Sequence, residues 1–180
     1  RTVGGATKAM RVGNMMISTA NPRLTARPEQ GHSPLSIVLD NDLIVPLQCQ
    51  LVTTVSRHTL LILTRQEALD TQRKKAKAMR SQNVEILTYS SKQTNANLEL
   101  LESELSQRRL QQLLVEGGPR VIASYLEAGL AHEVSDYVTA KLLGCARTAD
   151  NGKASTGLTH TITLQHTEET ALGSHVRIMG

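Results

Sequence analysis

Hydrophobic and polar positions along this chain alternate in two recognisable ways, and the switches between them mark out most of its elements. Ser36 to Pro46 (SIVLDNDLIVP) opens with an apolar strand, Ile37 to Leu39, and then breaks at Asp40, Asn41 and Asp42. Leu60 to Thr64 (LLILT) is wholly apolar, and Val84 to Tyr89 (VEILTY) is a second short strand of the same kind. Runs that are apolar on both faces suit the interior of a largely parallel sheet covered by helices. From Gln66 to Ser81 the pattern changes: Ala68, Leu69, Ala76 and Met79 make a thin apolar stripe among charges, which predicts one surface helix. Asn97 to Arg109 reads as another helix, with Asn97 as cap, Leu98, Leu101 and Leu105 at helical spacing, and Arg108 and Arg109 in the last turn.

The stretch LLVEGGPRVIASYLEA, Leu113 to Ala128, predicts a strand, a glycine turn and a helix from Pro119 to about Ala128, stopped by Gly129. His132 to Gly144 reads as a further strand, and Ala146 to Gly157 as a loop. THTITLQHT (Thr159 to Thr167) and SHVRIMG (Ser174 to Gly180) both alternate with period two and predict a terminal antiparallel pair. The order is that of an α/β sheet with a mixed edge in a single domain spanning residues 1–180.

Composition narrows the function. The chain has no Phe, no Trp and three Tyr, so aliphatic side chains must fill the core and stacking platforms for single-stranded nucleic acid are scarce. The net charge of +4 is mild, and the basic run from Arg73 to Arg80 reads first as a solvated helix face. Cys49 and Cys145 form neither a disulfide framework nor a zinc signature, so the expected compartment is cytoplasmic. No apolar run reaches the roughly 18 residues of a membrane span. The six histidines are scattered, with His160 and His166 expected as exposed positions on one strand, and Met15 and Met16 as core. No phosphate-binding P-loop and no serine-hydrolase elbow occurs.

Two places carry chemistry. In Glu116–Gly117–Gly118–Pro119, the glycines let the backbone approach a phosphate and Pro119 is pre-set for the first helical position. The amides of Arg120, Val121 and Ile122 would then face an anion with the helix dipole behind them. Glu116, at the end of the strand, is placed to accept hydrogen bonds from sugar hydroxyls. The turn equally fits a tight connection that needs two glycines and nothing more. Asn21 to Arg27 (NPRLTAR) is a turn whose Arg27 can fork onto a phosphate or carboxylate, or simply decorate a surface loop.

Together NPRLTAR, SPLSIVLD, LLVEGGPRVIASYLEAGLAHEVSDYVTAKLLG and the closing LGSHVRIMG resemble the reductase (C-terminal) domain of bifunctional riboflavin biosynthesis deaminase/reductase proteins, from about Ala9 onward. The resemblance implies a three-layer αβα, dihydrofolate-reductase-like fold, mostly parallel with an antiparallel C-terminal edge. It implies NADPH-dependent reduction of 5-amino-6-(5-phosphoribosylamino)uracil to the ribitylamino product, and a homodimer with neither nucleic-acid nor membrane partners. Carried over by position, it makes Leu24, Arg27 and Glu116 substrate contacts. It places Asn41 and the run Gly117, Gly118, Pro119, Arg120, Val121, Ile122, Ala123 and Ser124 along NADPH, with Arg120 a candidate for the extra phosphate. No metal and no identifiable proton donor are implied.

The departures are specific. The family pattern VGxGTVLADDPRLT stands here as VGNMMISTANPRLT, with Met16 for a threonine and Ala20 for an acidic residue; His132 stands where an aspartate usually precedes Glu133. The family's opening strand of the type KxAxSLDGK, and the HxE and PCxxC motifs of its usual deaminase partner, do not occur in this sequence. Two expectations follow: a fragment that begins inside the domain, or a relative that keeps the fold and perhaps dinucleotide binding without the chemistry.

Overall fold

A computed structural model of the chain describes residues 9–13, 34–90, 96–116, 119–139 and 163–180. The chain divides into two compact units, Arg1–Val121 and Ile122–Gly180. The first unit holds strands β1 (Ala9–Gly13), β2 (Leu35–Leu39), β3 (Leu60–Arg65), β4 (Glu85–Tyr89) and β5 (Leu113–Val115). All pair in parallel, in the order β4-β3-β2-β1-β5. Parallel pairing requires a crossover after each strand. Among the described residues these carry α1 (Gln50–Thr53) and a 3-10 turn, then α2 (Gln66–Thr71) with α3 (Arg73–Ser81), then α4 (Ala96–Gln107); α5 (Pro119–Glu127) follows β5.

The apolar strands behave as their composition demands. Ile37, Val38, Leu60, Leu61, Ile62 and Leu63 are all 1% exposed or less. Val38, Leu60 and Ile62 share one face with Leu51, Val52, Ala76 and Met79. Strand alternation sends Ile37, Leu61 and Leu63 to the opposite face. Helix α4 packs on β3 and β4, burying Leu98 and Leu101. Arg108, just beyond α4, ties the helix to the sheet by pairing with Glu104 and Glu85 at 2.5 Å each.

Several expectations are corrected here. The helix expected over Gln66 to Ser81 is two helices, broken at Gln72 (φ −107°, ψ 36°). There the Gln72 side-chain amide donates to the Asp42 carbonyl at 2.5 Å. Asn97 does not cap α4, which already begins at Ala96. Arg108 and Arg109 follow that helix instead of closing it, and Arg109 turns the chain with φ 56°. Strand β1, which the sequence reading passes over, occupies the sheet interior between β2 and β5.

The second unit is a three-stranded antiparallel sheet, β6 (Ser135–Thr139), β8 (His175–Met179) and β7 (Glu168–Leu172), in the order β6-β8-β7. Helix α5 ends as expected at Gly129 (φ 67°): the Gly129 amide donates to the Leu126 carbonyl and the Leu130 amide to that of Tyr125. The expected strand from His132 shortens to Ser135–Thr139 within the described residues, preceded by Val134, which exchanges both backbone hydrogen bonds with Gly180. The C-terminal antiparallel pair forms with Glu168–Leu172 as its first strand; of the expected strand Thr159 to Thr167, residues 159–162 lie outside the described residues and 163–167 carry no strand. The two-residue turn Gly173–Ser174, with Gly173 at φ 65°, sets that register back from β8. His166, at φ 55°, lies outside the strands; His160, Met15, Met16 and the loop Ala146 to Gly157 lie outside the described residues. No helix among the described residues is long and apolar enough to cross a membrane.

One buried side chain makes stability depend on pH. His58 is 7% exposed, and neither ring nitrogen has a partner in good hydrogen-bonding geometry. Burial lowers its pKa below the ordinary 6.5, and the nearby Thr54 backbone offsets part of the shift. The unfolded chain takes up this proton as the pH falls through about 6.5, whereas the folded chain takes it up only at lower pH. The contribution is therefore complete above the unfolded pKa and is lost as the pH falls through the folded one. Urea unfolding at about pH 7.5 and about pH 5.5 should give a lower midpoint at the acid value, and His58→Leu should shrink the difference. An undiminished difference in the variant would exclude His58 as its source.

Candidate functional site

The strand order supplies the first pointer to a site. From β1 the chain steps outward to β2, β3 and β4, then returns to place β5 on the other side of β1. In a parallel sheet such a reversal opens a crevice outside the carboxyl ends of the two strands where the direction changes. Those strands are β1 and β5, and Glu116 is the first residue after β5, exposed at that mouth. Helix α5 begins three residues later at Pro119.

Beyond β1, the carboxyl ends of β2, β3 and β4 form a continuous row. Asn41 extends β2 by one step alongside β3: its carbonyl accepts the Arg65 backbone amide, the Arg65 Nε and the Thr64 hydroxyl, each at 3.2 Å. Its side-chain Oδ1 accepts the Tyr89 hydroxyl of β4 at 2.6 Å. Arg65 also pairs with Asp42 through its guanidinium. Asn41 and Asp42 are both exposed.

The turn carrying them is held from below. Asp40 is fully buried, and its Oδ2 accepts the Val45 amide at 2.7 Å. Leu43, also fully buried, adopts φ 52°, a conformation that costs a branched side chain energy and persists only where its surroundings impose it. Lys75 reaches across from α3 to donate to the Leu43 carbonyl at 2.7 Å. Burial lowers the pKa of Lys75, while Asp40 and, more weakly, Cys49 act to raise it.

Of the residues singled out from sequence, the structure places Glu116 and Asn41 at the carboxyl ends of strands in one sheet, two strand spacings (about 10 Å) apart laterally, with Asn41 about three residues further along the strand direction. Val121 to Ser124 lie in the first turns of α5, which Pro119 and Arg120 begin. The side chains of Pro119 and Arg120 lie outside what the structure describes, as do Leu24, Arg27, Gly117 and Gly118 entirely. Sequence reasoning missed Thr64, Arg65 and Tyr89. Position at the ends of the apolar runs LLILT and VEILTY was the available signal, and strand pairing is what joins them to Asn41.

An amide, a guanidinium and a carboxylate stand along one rim of the sheet, able to meet amide, phosphate and hydroxyl groups respectively. No group of three or more metal-ligating side chains occurs among the described residues. Two open hollows, of about 550 and 300 Å³, lie elsewhere, along the outer edge of β4 and against the basic face of α2 and α3.

Comparison with known proteins agrees with this arrangement. The chain is 32% identical over 136 residues to the riboflavin biosynthesis protein RibD of Actinobacillus pleuropneumoniae, covering 76% of this chain and 35% of that protein. It is 28% identical over 138 residues to RibD of Aquifex aeolicus, covering 76% and 36%. The chain thus spans about a third of the length of the curated relatives it matches.

Among solved structures, Acinetobacter baumannii RibD superposes with a TM-score of 0.76 at 19% identity, covering 96% of this chain and 46% of that one. A Thermotoga maritima deaminase and 5-amino-6-(5-phosphoribosylamino)uracil reductase gives 0.73 at 18% identity, covering 98% and 45%. A pyrimidine reductase-like protein of Corynebacterium diphtheriae gives 0.75 at 18% identity, covering 98% and 76%. These likenesses establish the dihydrofolate-reductase-like fold of the reductase domains. The sequence itself matches the RibD C-terminal domain over residues 6–176, nearly its full length, and to that family this chain belongs.

Proposed function

We propose that this chain is an NADPH-dependent reductase of riboflavin biosynthesis, converting 5-amino-6-(5-phosphoribosylamino)uracil to its ribitylamino counterpart. The observation that carries the reading is the position of Glu116, at the carboxyl mouth where the strand order reverses, in a chain of this family. When bound, NADPH supplies the hydride that reduces C1′ of the opened ribose. The protein's own work is positional. Glu116 accepts hydrogen bonds from ribose hydroxyls, Arg27 takes the substrate phosphate, and Leu24 packs beside it. Asn41 and the stretch Gly117 to Ser124 hold the cofactor along the strand ends, where a phosphate meets the N-terminus of α5. Holding both reactants in one geometry removes much of the entropic barrier, and no side-chain nucleophile is needed. The chain acts as a homodimer in the cytoplasm, with a phosphorylated ribosylaminopyrimidine as substrate and neither nucleic acid nor membrane as partner.

A second reading, a relative that keeps the fold without the chemistry, rests on Met16 and Ala20 at positions where the family usually has a threonine and an acidic residue. Calorimetric titration of the purified chain with NADPH and with NADH separates the readings when followed by a turnover assay. The proposed function expects saturable binding, tighter for NADPH, and consumption of NADPH only when the pyrimidine is added. Binding without turnover would favour the second reading. A folded sample that binds neither nucleotide would overturn the first.

A further inference from the structure

We propose that the outer edge of β4, beside the cationic stripe of α3, takes an extended acidic segment of a partner protein as an added strand. The inference is independent of the reductase reading, since it uses none of the groups that reading assigns to substrate or cofactor.

Strand β4 closes one side of the parallel sheet: it pairs with β3, and no strand among the described residues lies on its other side. Such an edge presents a row of amide and carbonyl groups in strand geometry. Proteins ordinarily blunt it with a lysine, a proline, a bulge or a covering segment. The strand EILTY has no lysine and no proline, and its register with β3 runs on without a bulge. Its one charge, Glu85, is paired with Arg108. Instead of a covering segment, a hollow of about 550 Å³ lies along the edge, lined by Arg80, Asn83 and Val84 to Leu87. The place of a further strand, about 4.8 Å outside β4, falls in that hollow.

Charge says what kind of strand fits. Helix α3 (RKKAKAMRS) carries five cations and no acidic residue. Arg73, Lys77 and Arg80 follow one another at helical spacing and line the second hollow, of about 300 Å³. Arg80 borders both hollows and so joins the stripe to the sheet edge. Arg73 reaches Asp70 at 3.4 Å, whereas Lys77 and Arg80 have no ion-pair partner among the described residues. Like charges at this spacing repel, so an anion laid along them relieves a strain that the free protein carries. Ile86 packs on the same core cluster as Ala76 and Met79, which puts it on the α3 side of β4; alternation sends Leu87 to the other side. A guest strand with carboxylates on the α3 side and apolar residues on the other meets Arg80 and Lys77 with the first and Leu87 with the second. Its backbone supplies the affinity and the alternating side chains the specificity. A nucleic-acid duplex could meet the stripe but has nothing to offer the strand edge, so the two features together favour a peptide.

The test uses the full chain and a labelled, end-blocked peptide of alternating glutamate and valine, followed by fluorescence anisotropy. Saturable binding is expected, weaker at about 200 mM than at about 50 mM salt. The double variant Lys77→Gln with Arg80→Gln should weaken it about tenfold. The urea midpoint of that variant should stay unchanged, since both side chains are exposed and unpaired. A copy of the peptide methylated at every backbone nitrogen keeps the charges but loses the donors that pair with an edge, and should bind at least about tenfold more weakly. Amide hydrogen exchange should slow in Glu85 to Thr88 when the unmodified peptide binds. Absence of binding, equal binding of the methylated peptide or of a lysine–valine copy, or unchanged exchange in β4 would each overturn the proposal. So would a DNA duplex that displaces the peptide and slows exchange in α3 alone, which would make the face a nucleic-acid surface. Slowed exchange in β4 that appears with rising protein concentration alone, in step with a dimer by sedimentation, would assign the edge to a second copy and overturn it too.

Discussion

Replacing Glu116 by glutamine is expected to lower kcat/KM for the pyrimidine by about tenfold to a hundredfold while leaving NADPH affinity within about threefold. The reason is the asymmetry of the site. Glu116 lies at the carboxyl end of β5, on the far side of β1 from Asn41 and Arg65, and the proposed function sets it against the sugar of the substrate rather than against the cofactor. A carboxylate is acceptor-only, and its bonds to sugar hydroxyls are charge-assisted; glutamine keeps one acceptor and replaces the other oxygen with donors. Glu116→Ala removes both acceptors and should cost more. Steady-state kinetics together with NADPH titration of the same preparations decide the point. Unchanged turnover in Glu116→Gln would remove Glu116 from the substrate site. A parallel loss of NADPH affinity would move it to the cofactor side.

The parts of this architecture that a reader of the sequence can see are those whose own composition determines them. Ile37–Val38 and Leu60–Leu63 are apolar on both faces because both faces are covered, and such a run allows little besides an interior parallel strand. Gly129 announces the end of its helix because only a residue at ease with positive φ closes the chain there. What stayed hidden depends on partners distant in the chain. Strand Ala9–Gly13 contains Arg11 and Gly13 and shows no alternation; pairing with β2 and β5 makes it a strand. The break at Gln72 coincides with a bond from its side chain to the Asp42 carbonyl, thirty positions away. The alternation in Thr159 to Thr167 pointed to a strand, but the Gly173–Ser174 turn pairs β8 with Glu168–Leu172 instead.

The site divides along the same line. Glu116 was singled out because it ends an apolar run at a glycine turn, which in an α/β chain marks a strand's carboxyl end, whereas Asn41 was singled out only through the family resemblance. Arg65 and Tyr89 satisfy the same local rule, yet nothing local distinguishes them from any polar residue after a strand. Their significance comes from register: Arg65 stands opposite Tyr89, and both bond to Asn41. Strand pairing thus assembles a row of functional groups from positions 24 and 48 residues apart.

The turn beneath that row yields the largest expected loss of stability. Asp40→Ala should destabilise the protein by about 2–3 kcal/mol, a substantial share of the roughly 5–15 kcal/mol that holds a domain folded. Asp40 is 0% exposed, and its carboxylate satisfies the buried Val45 amide, which alanine leaves without an acceptor. The same change removes the negative charge that acts on Lys75, whose ammonium is already opposed by desolvation. Leu43, at φ 52°, is then held only by the bond from its amide to the residue-40 carbonyl and by Lys75 on its own carbonyl. Asp40→Asn retains an acceptor for Val45 but not the charge, so it should cost less, about 1–2 kcal/mol. Urea unfolding midpoints at constant slope measure both. Because the turn carries Asn41, which the proposed function sets along the cofactor, Asp40→Asn should also weaken NADPH binding under conditions where the variant is fully folded. Two variants of equal stability would show that the charge on Asp40 contributes nothing beyond its hydrogen bond. Full stability in Asp40→Ala would mean that Lys75 and the backbone bonds hold the turn without Asp40.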